Sequence, residues 1–323
     1  MKSPVSELRP IPVVFICLMC LGVLHMSAQE RYKPAFSFSL FGETSRFAIG
    51  DLNKAIDSYN HNSYFEYLRS SQPDLISGSL DPLPHASTNL GMELRCHLSG
   101  RIALGVTLMA PYHLSNYSTI TYAVVGGAGA QITSRSDRNT IKAGFSLLLT
   151  AHYSLIRNAI FGLSVHAGVA YRPAHHKLTR EYDIQYPLGG RSLANWSWDL
   201  SRSFPIGFHS GLGFSARLSR KLALIVEATV RVMDIGHLTG RYRGTSSSFD
   251  PEGNLDFTNS YYGSGTLYYF SIFDDLIGTR YETVSVYESR PSEGGIDWIS
   301  DVRNANLNLN GYSIRLGVMV NLF

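Results

Sequence analysis

From residue 36 onward the chain alternates apolar and polar positions with a period of two, many times over. Between Lys221 and Asp234, Leu222, Leu224, Val226, Ala228, Val230 and Val232 share one face, while Lys221, Ala223, Ile225, Glu227, Thr229, Arg231 and Met233 share the other. Successive side chains of a strand point to opposite faces, so the pattern predicts strands with two different surroundings. Tyr312 to Leu322 and Phe161 to Tyr171 repeat it, and similar stretches run over Phe36 to Phe41, Thr88 to Leu98, Ile102 to Tyr112, Ile141 to Tyr153 and Ile206 to Leu218. Eight strands result. Apart from the first, each has about 9 to 14 residues, enough to cross a bilayer when tilted.

Alternation also fits a half-buried sandwich, whose apolar face forms a core. Two features favour a barrel. The second face is not simply polar but rich in Gly and Ser with isolated charges, as a narrow lumen requires. Connection lengths also alternate: Ser99-Gly100, Ile156 to Asn158 and Ser219-Arg220 are short, whereas roughly 43–86, 113–139, 173–204 and 235–305 are long. Short turns on one rim and long loops on the other form the outer-membrane pattern. Past residue 30 no apolar run approaches the ~18 residues of a spanning helix. A sheet that carries its backbone through lipid must close, because an open edge leaves N–H and C=O groups unpaired. The fold expected is therefore an all-β, eight-stranded antiparallel transmembrane β-barrel, with short periplasmic turns, long extracellular loops and a short helix in the first loop.

The first residues read as an address. Lys2 and Arg9 precede an apolar run of 12 residues, Val13 to Leu24, and Ser27-Ala28 supplies small residues for cleavage. We expect residues 1–28 to be a secretory signal peptide and 29–323 a single barrel domain in the bacterial outer membrane. Cleavage after Ala28 leaves Cys96 as the only thiol, so no internal disulfide is expected. Only 16% of residues are charged, against about 25% in soluble proteins, which agrees with a wall facing lipid. A formal net charge of +3 is too small to argue for nucleic acid.

The eight alternating strands, with the terminal run Gly311-Tyr-Ser-Ile-Arg-Leu-Gly-Val-Met-Val-Asn-Leu-Phe323, resemble the small outer-membrane barrels of the OmpA/OmpX class. The resemblance covers somewhat over a third of the mature chain. It implies that the C-terminal strand is read by the barrel-insertion machinery. Phe323 shares parity with Asn321 and Arg315 rather than with Leu322 and Val320, so a bulge or register change near it is expected. With nothing following Phe323, no peptidoglycan-binding half is expected.

Uniform parity places Glu93, Arg95, Lys142, His152, His166, Arg172, His209, Arg217, Glu227, Arg231 and Arg315 inside. Carboxylates and guanidinium groups confined there should pair, because an unpaired charge in a lumen is costly. Glu93, Arg95, His166, Arg217, Glu227, Arg231 and Arg315 are the expected lumen network, with Glu227 facing Arg315. A plug filling a narrow barrel is the plainest reading, a gated polar pathway a second, and a catalytic role for Glu93 or Glu227 a third.

In the first loop Leu52, Ala55, Ile56 and Tyr59 recur at helical spacing behind Asp51, a candidate N-cap. That helix should rest across the barrel mouth. The last loop is rich in tyrosine: Tyr242, Tyr261, Tyr262, Tyr268 and Tyr269, then Tyr281 and Tyr287 with Trp298 behind. They suit a recognition surface for an external protein, glycan or small ligand, or equally a strand extension with an aromatic belt.

The remaining motifs are weak. His113-Leu-Ser115-Asn116 resembles the His-x-Ser-Asn stretch of the outer-membrane lipid A deacylase family, which implies an esterase-like pair and takes inward parity here. Asp250-Pro-Glu252-Gly-Asn254-Leu-Asp256 lacks the twelfth-position Glu of a calcium loop and reads as a polar turn. Adjacent His175 and His176 point opposite ways on a strand. No catalytic residue, metal site or cofactor is therefore assigned. The function expected is a non-enzymatic, porin-like membrane barrel with a plugged lumen, contacting outer-membrane lipid and an external partner through its loops. The rivals are a narrow channel or hydrophobic small-molecule passage of the OmpW kind, and an outer-leaflet lipid-modifying enzyme.

Overall fold

The computed structural model describes residues 35–322 except 63, 127–128, 203, 275–277 and 294–298. The expected signal peptide, Trp298 and Phe323 lie outside the described residues. Strand β1 (Ala35–Gly50) climbs into helices α1 (Asp51–Asn62) and α2 (Tyr64–Ser71), a single 3-10 turn and β2 (Ile76–Gly78), and β3 (Ala86–His97) returns. β4 (Ile102–Met109) climbs into β5 (Tyr112–Gly126), and β6 (Gly129–Ala143) and β7 (Ser146–Arg157) descend. β8 (Phe161–Tyr171), β9 (Ala174–Gln185), β10 (Arg191–Ser201) and β11 (Ile206–Arg217) repeat the excursion. The last is longest: β12 (Leu222–Val232), β13 (Asp234–Gly236), β14 (Thr239–Phe249), β15 (Leu255–Asp274), β16 (Thr279–Tyr287), β17 (Ile299–Asn304) and β18 (Asn306–Asn321).

Two storeys result. The lower is an antiparallel barrel in the order β1-β3-β4-β7-β8-β11-β12-β18, closed by pairing of β1 with β18. Its outward face is apolar and exposed, with Leu90 at 70% and Leu316 at 63%, and carries no charge along the strand cores. Such a surface is compatible with hydrocarbon, where a midplane charge costs about 2–4 kcal/mol.

The three short turns share one local chemistry. Ser99 Oγ accepts from the N–H groups of Arg101 and Ile102, and Ser219 Oγ from those of Lys221 and Leu222. Asn158 Oδ1 accepts from Ile160 and Phe161 at 2.9 and 2.8 Å. These are turn residues satisfying backbone donors that strand pairing leaves free.

The long loops are mostly strand. Above the barrel a second sheet runs β2-β5-β6-β9-β10-β14-β15-β16, with β17 also on β15. Its inner face curls around the helices: the Tyr59 ring packs at a tilt against Phe65 and edge-on against Tyr281, the Arg135 guanidinium lies 4.4 Å from the Tyr59 ring centroid, and Phe65 meets Tyr122. Where one helix was expected, two form. Leu52 and Ala55 are buried as their spacing predicts. Asp51, expected as an N-cap, instead accepts from Arg303 Nη2 and from the Asn306 N–H, both at 2.7 Å, tying the helix start to the last strands. Gly50, at φ +76°, makes the turn into it, and a Cβ there would meet Asn308 at 2.7 Å.

Between storeys the facing of the strands changes. Even positions face out in β4, where Leu104 and Leu108 are exposed, but inward after Ala110-Pro111, where Tyr112 and Leu114 are buried. Across Gly144-Phe145, Ile141 and Ala143 point in, below which Ser146 and Leu148 do. Lys142, expected in the lumen, is therefore exposed on the outside, and so are His113 and Ser115. A third inversion falls near His237, a non-glycine residue at φ +56°. Each irregularity adds a residue to one face of the wall, which a strict period of two cannot anticipate.

Candidate functional site in the lumen and the storey above it

The lumen is crossed by one chain of ion pairs. Glu43 accepts from Arg315 Nε at 2.6 Å, Arg231 Nη2 at 3.0 Å and Ser45 Oγ at 2.7 Å. Arg315 Nη1 reaches Glu227 at 3.4 Å, and Arg95 bridges Glu227 to Glu93, which it meets at 2.7 Å. His152 Nε2 completes the run at 2.8 Å from Glu93 Oε1. These groups come from β1, β3, β7, β12 and β18, so the layer cross-links the wall. Glu227 and Arg315 lie opposite one another in the β12–β18 register. The whole layer is buried, with Glu43 at 0% and Arg315 at 2% exposure.

Three carboxylates face three guanidinium groups, which offsets much of the desolvation that burial imposes. Arg172 stands apart: it donates to Ser146 Oγ at 3.0 Å and to Tyr112 Oη at 3.3 Å, and lies over the Tyr112 ring. His166 and His209 bond through Nε2 to Thr229 and Thr150. Glycine makes room for this layer: a Cβ on Gly211 would come within 2.8 Å of His166 Nε2.

Of the residues expected in the lumen network, the structure brings together Glu93, Arg95, Glu227, Arg231 and Arg315, with His166 beside them. Arg217 does not join. It is exposed at the short-turn rim, where it lines a cavity of about 100 Å³ with Arg95, His97 and Arg157. Glu43, the acceptor for two arginines, escaped sequence reasoning because the clear alternation of the first strand stops at Gly42; its odd parity with Ser37, Ser39 and Phe41 was the available signal.

Above the ionic layer lies an apolar roof. Met109, Leu148, Ala170 and Met233, none more than 1% exposed, continue into the packed interior of the upper storey through Leu52, Leu178, Leu200 and Leu309. Polar layer and roof are thus both built of buried side chains that point into the barrel.

Among the described residues His152, His166 and Glu227 present ligand atoms within 4.8 Å of one another. Both Glu227 oxygens already accept from Arg95 and Arg315. A divalent cation there would sit beside two guanidinium charges, so the cluster fits an ionic wall better than a metal centre.

The upper storey holds a second buried ionic group. Asp137 accepts a bidentate pair of bonds from Arg135 at 3.0 and 2.6 Å and further bonds from Arg180. Burial would raise the Asp137 pKa, but Arg180 and Arg135 outweigh it and hold the carboxyl at about 2.

The tyrosines do not form one surface. Tyr269 is buried beneath Arg303, and Tyr268 is half-buried. Tyr242, also half-buried, donates to Glu288 at 3.2 Å. Tyr261 stacks on Trp196 at 5.2 Å, and only Tyr262, 86% exposed, stands fully in solvent. His113 and Ser115 share the outer face of β5, and among the described residues no carboxylate pairs with His113. Asp250 closes the β14–β15 hairpin, accepting from the Asn254 N–H at 2.7 Å, as a polar turn does.

No family profile matches the chain, and no curated protein matches it in sequence. Among solved structures it is similar to the outer membrane protein OprG of Pseudomonas aeruginosa, at TM-score 0.37 and 11% identity over 89% of this chain and 95% of that one. A major outer membrane protein of Thermus thermophilus gives 0.26 and 12% over 90% and 100%. A Pseudomonas aeruginosa FadL homologue gives 0.20 and 7% over 92% of each. None of these likenesses is specific to the OmpA/OmpX class, and the barrel assignment rests on the hydrogen-bonded registers above.

Proposed function

We propose that the chain is a non-enzymatic integral protein of the bacterial outer membrane, with a sealed lumen and a surface storey that contacts a partner outside the cell. The observation that carries this reading is the closed layer at mid-barrel, where Glu43, Glu93, Arg95, Glu227, Arg231 and Arg315 are all at most 8% exposed under an apolar roof. Groups so enclosed cannot meet a substrate, and eight strands leave little interior beyond their side chains. Such a layer serves stability and closure. The storey above extends the wall outward and ends in hairpins whose tips, near Leu188 and Leu255, are exposed. Exposed turns and strands on a rigid scaffold are where recognition is commonly carried. Recording in planar bilayers tests the sealed lumen: silence supports it and steady openings overturn it.

A further inference from the structure

The outward face of the upper storey carries a group of cations that outnumbers the carboxylates beside it. Arg138 and Lys142 on β6, Lys177 on β9, and Arg241 and Arg243 on β14 are all exposed on one side of the sheet. Registers bring them together. Lys177 pairs across to Asp199, Asp199 to Arg241, and the next row runs Arg138, Thr179, Ser197, Arg243, Tyr262. Neighbouring strands lie about 4.8 Å apart and alternate residues about 6.7 Å apart. Among the described residues none of the five cations makes an ion pair, and Arg138 instead lies over the Tyr117 ring. Asp199 is the single carboxylate within these rows, since Glu181 and Asp183 lie farther from the barrel. Lys177, Asp199, Arg241, Arg243 and Tyr262 border an open depression of about 720 Å³.

The place of the strip matters as much as its charge. Directly below it Phe145 and Phe204 are 62% and 68% exposed, and Phe204 lies 5.5 Å from Tyr171. Exposed aromatics at the end of an apolar wall mark the level of a membrane interface. Lys142 comes three positions before Phe145 on the descending β6, and Lys177 six positions after Tyr171 on the ascending β8–β9, so both lie above the aromatics. A band of unpaired Lys and Arg at headgroup height calls for an anionic headgroup, and guanidinium groups suit phosphate oxygens in particular.

We propose that this strip binds the phosphate groups of a phosphorylated glycolipid in the outer leaflet, with the depression between Lys177 and Arg243 seating the sugar that carries them. The proposal rests on the outer-membrane reading given above.

Purified full-length protein, wild type and K177Q/R241Q/R243Q, is mixed in detergent with bisphosphorylated lipid A or its dephosphorylated form, and bound lipid is counted by native mass spectrometry. Wild type should prefer the phosphorylated lipid by at least about tenfold. The triple variant should lose that preference, whereas R220Q/K221Q, on the opposite rim, should keep it. Equal binding by wild type and the triple variant overturns the proposal. Displacement of the lipid by inorganic phosphate at equal phosphorus concentration would mean a free-anion site and would also overturn it. Flotation of the wild type with phospholipid vesicles is measured in parallel. Failure to float removes the membrane reading and this proposal together, whereas flotation with equal lipid binding removes this proposal alone.

Discussion

Glu43→Gln keeps the shape of the side chain at the centre of the ionic layer and removes its charge. Arg231, whose Nη2 donates to Glu43 at 3.0 Å, has no other carboxylate within 4 Å among the described residues, whereas Arg315 keeps a 3.4 Å contact with Glu227. Both guanidinium groups are 2–3% exposed, so water cannot replace the lost carboxylate. Breaking a buried pair from one side typically costs about 3–5 kcal/mol, and Glu43→Gln should fall in that range. Arg231→Met should be costly for the complementary reason, leaving Glu43 with only Arg315 and Ser45. The double variant replaces ions by neutral groups of similar volume and should cost less than the sum of the singles by at least about 1 kcal/mol. The assay is urea unfolding of the refolded barrel in micelles, followed by tryptophan fluorescence. Additivity within about 0.5 kcal/mol, or a cost for Glu43→Gln under about 1 kcal/mol, would refute the reasoning.

Two further outcomes are expected. Asp137, held at about 2 against an ordinary 3.8, contributes stability that is complete above pH 4 and is lost as pH falls from about 4 through 2; limited proteolysis of the upper storey across that window should show the loss in wild type and a flat profile in Asp137→Asn. An epitope beside Asp250, at a long-excursion hairpin tip, should be labelled on intact cells, while one at Ser219, in a short turn, should not, and the reverse would overturn the sidedness.

The lower storey was legible in the sequence because its two environments, lipid outside and a packed polar interior inside, print a strict alternation on each strand. That alternation placed Glu227 and Arg315 on the inner face, and the structure sets them opposite one another. The upper storey was less legible for a physical reason. Its wall has water outside, so apolar and polar residues no longer separate cleanly, and β14 with Arg241, Arg243, Ser246, Ser247 and Ser248 reads as loop. The junctions at Ala110-Pro111 and Gly144-Phe145 then invert the facing, which moved Lys142 from an expected lumen position to the outer strip. Glu43 shows the converse failure, a lumen residue hidden because one glycine interrupts the apolar face of its strand. The tyrosines were visible as a composition, but their division among core, stacking pair and solvent depends on registers that composition does not carry.

The central claim is that the ionic layer and its apolar roof seal the barrel. Single-channel recording of the wild-type protein in planar bilayers, with insertion verified by protease protection, addresses it directly. No discrete conductance steps are expected across the voltage range that the bilayer tolerates. Reproducible steps of constant size, seen in wild type, would contradict it.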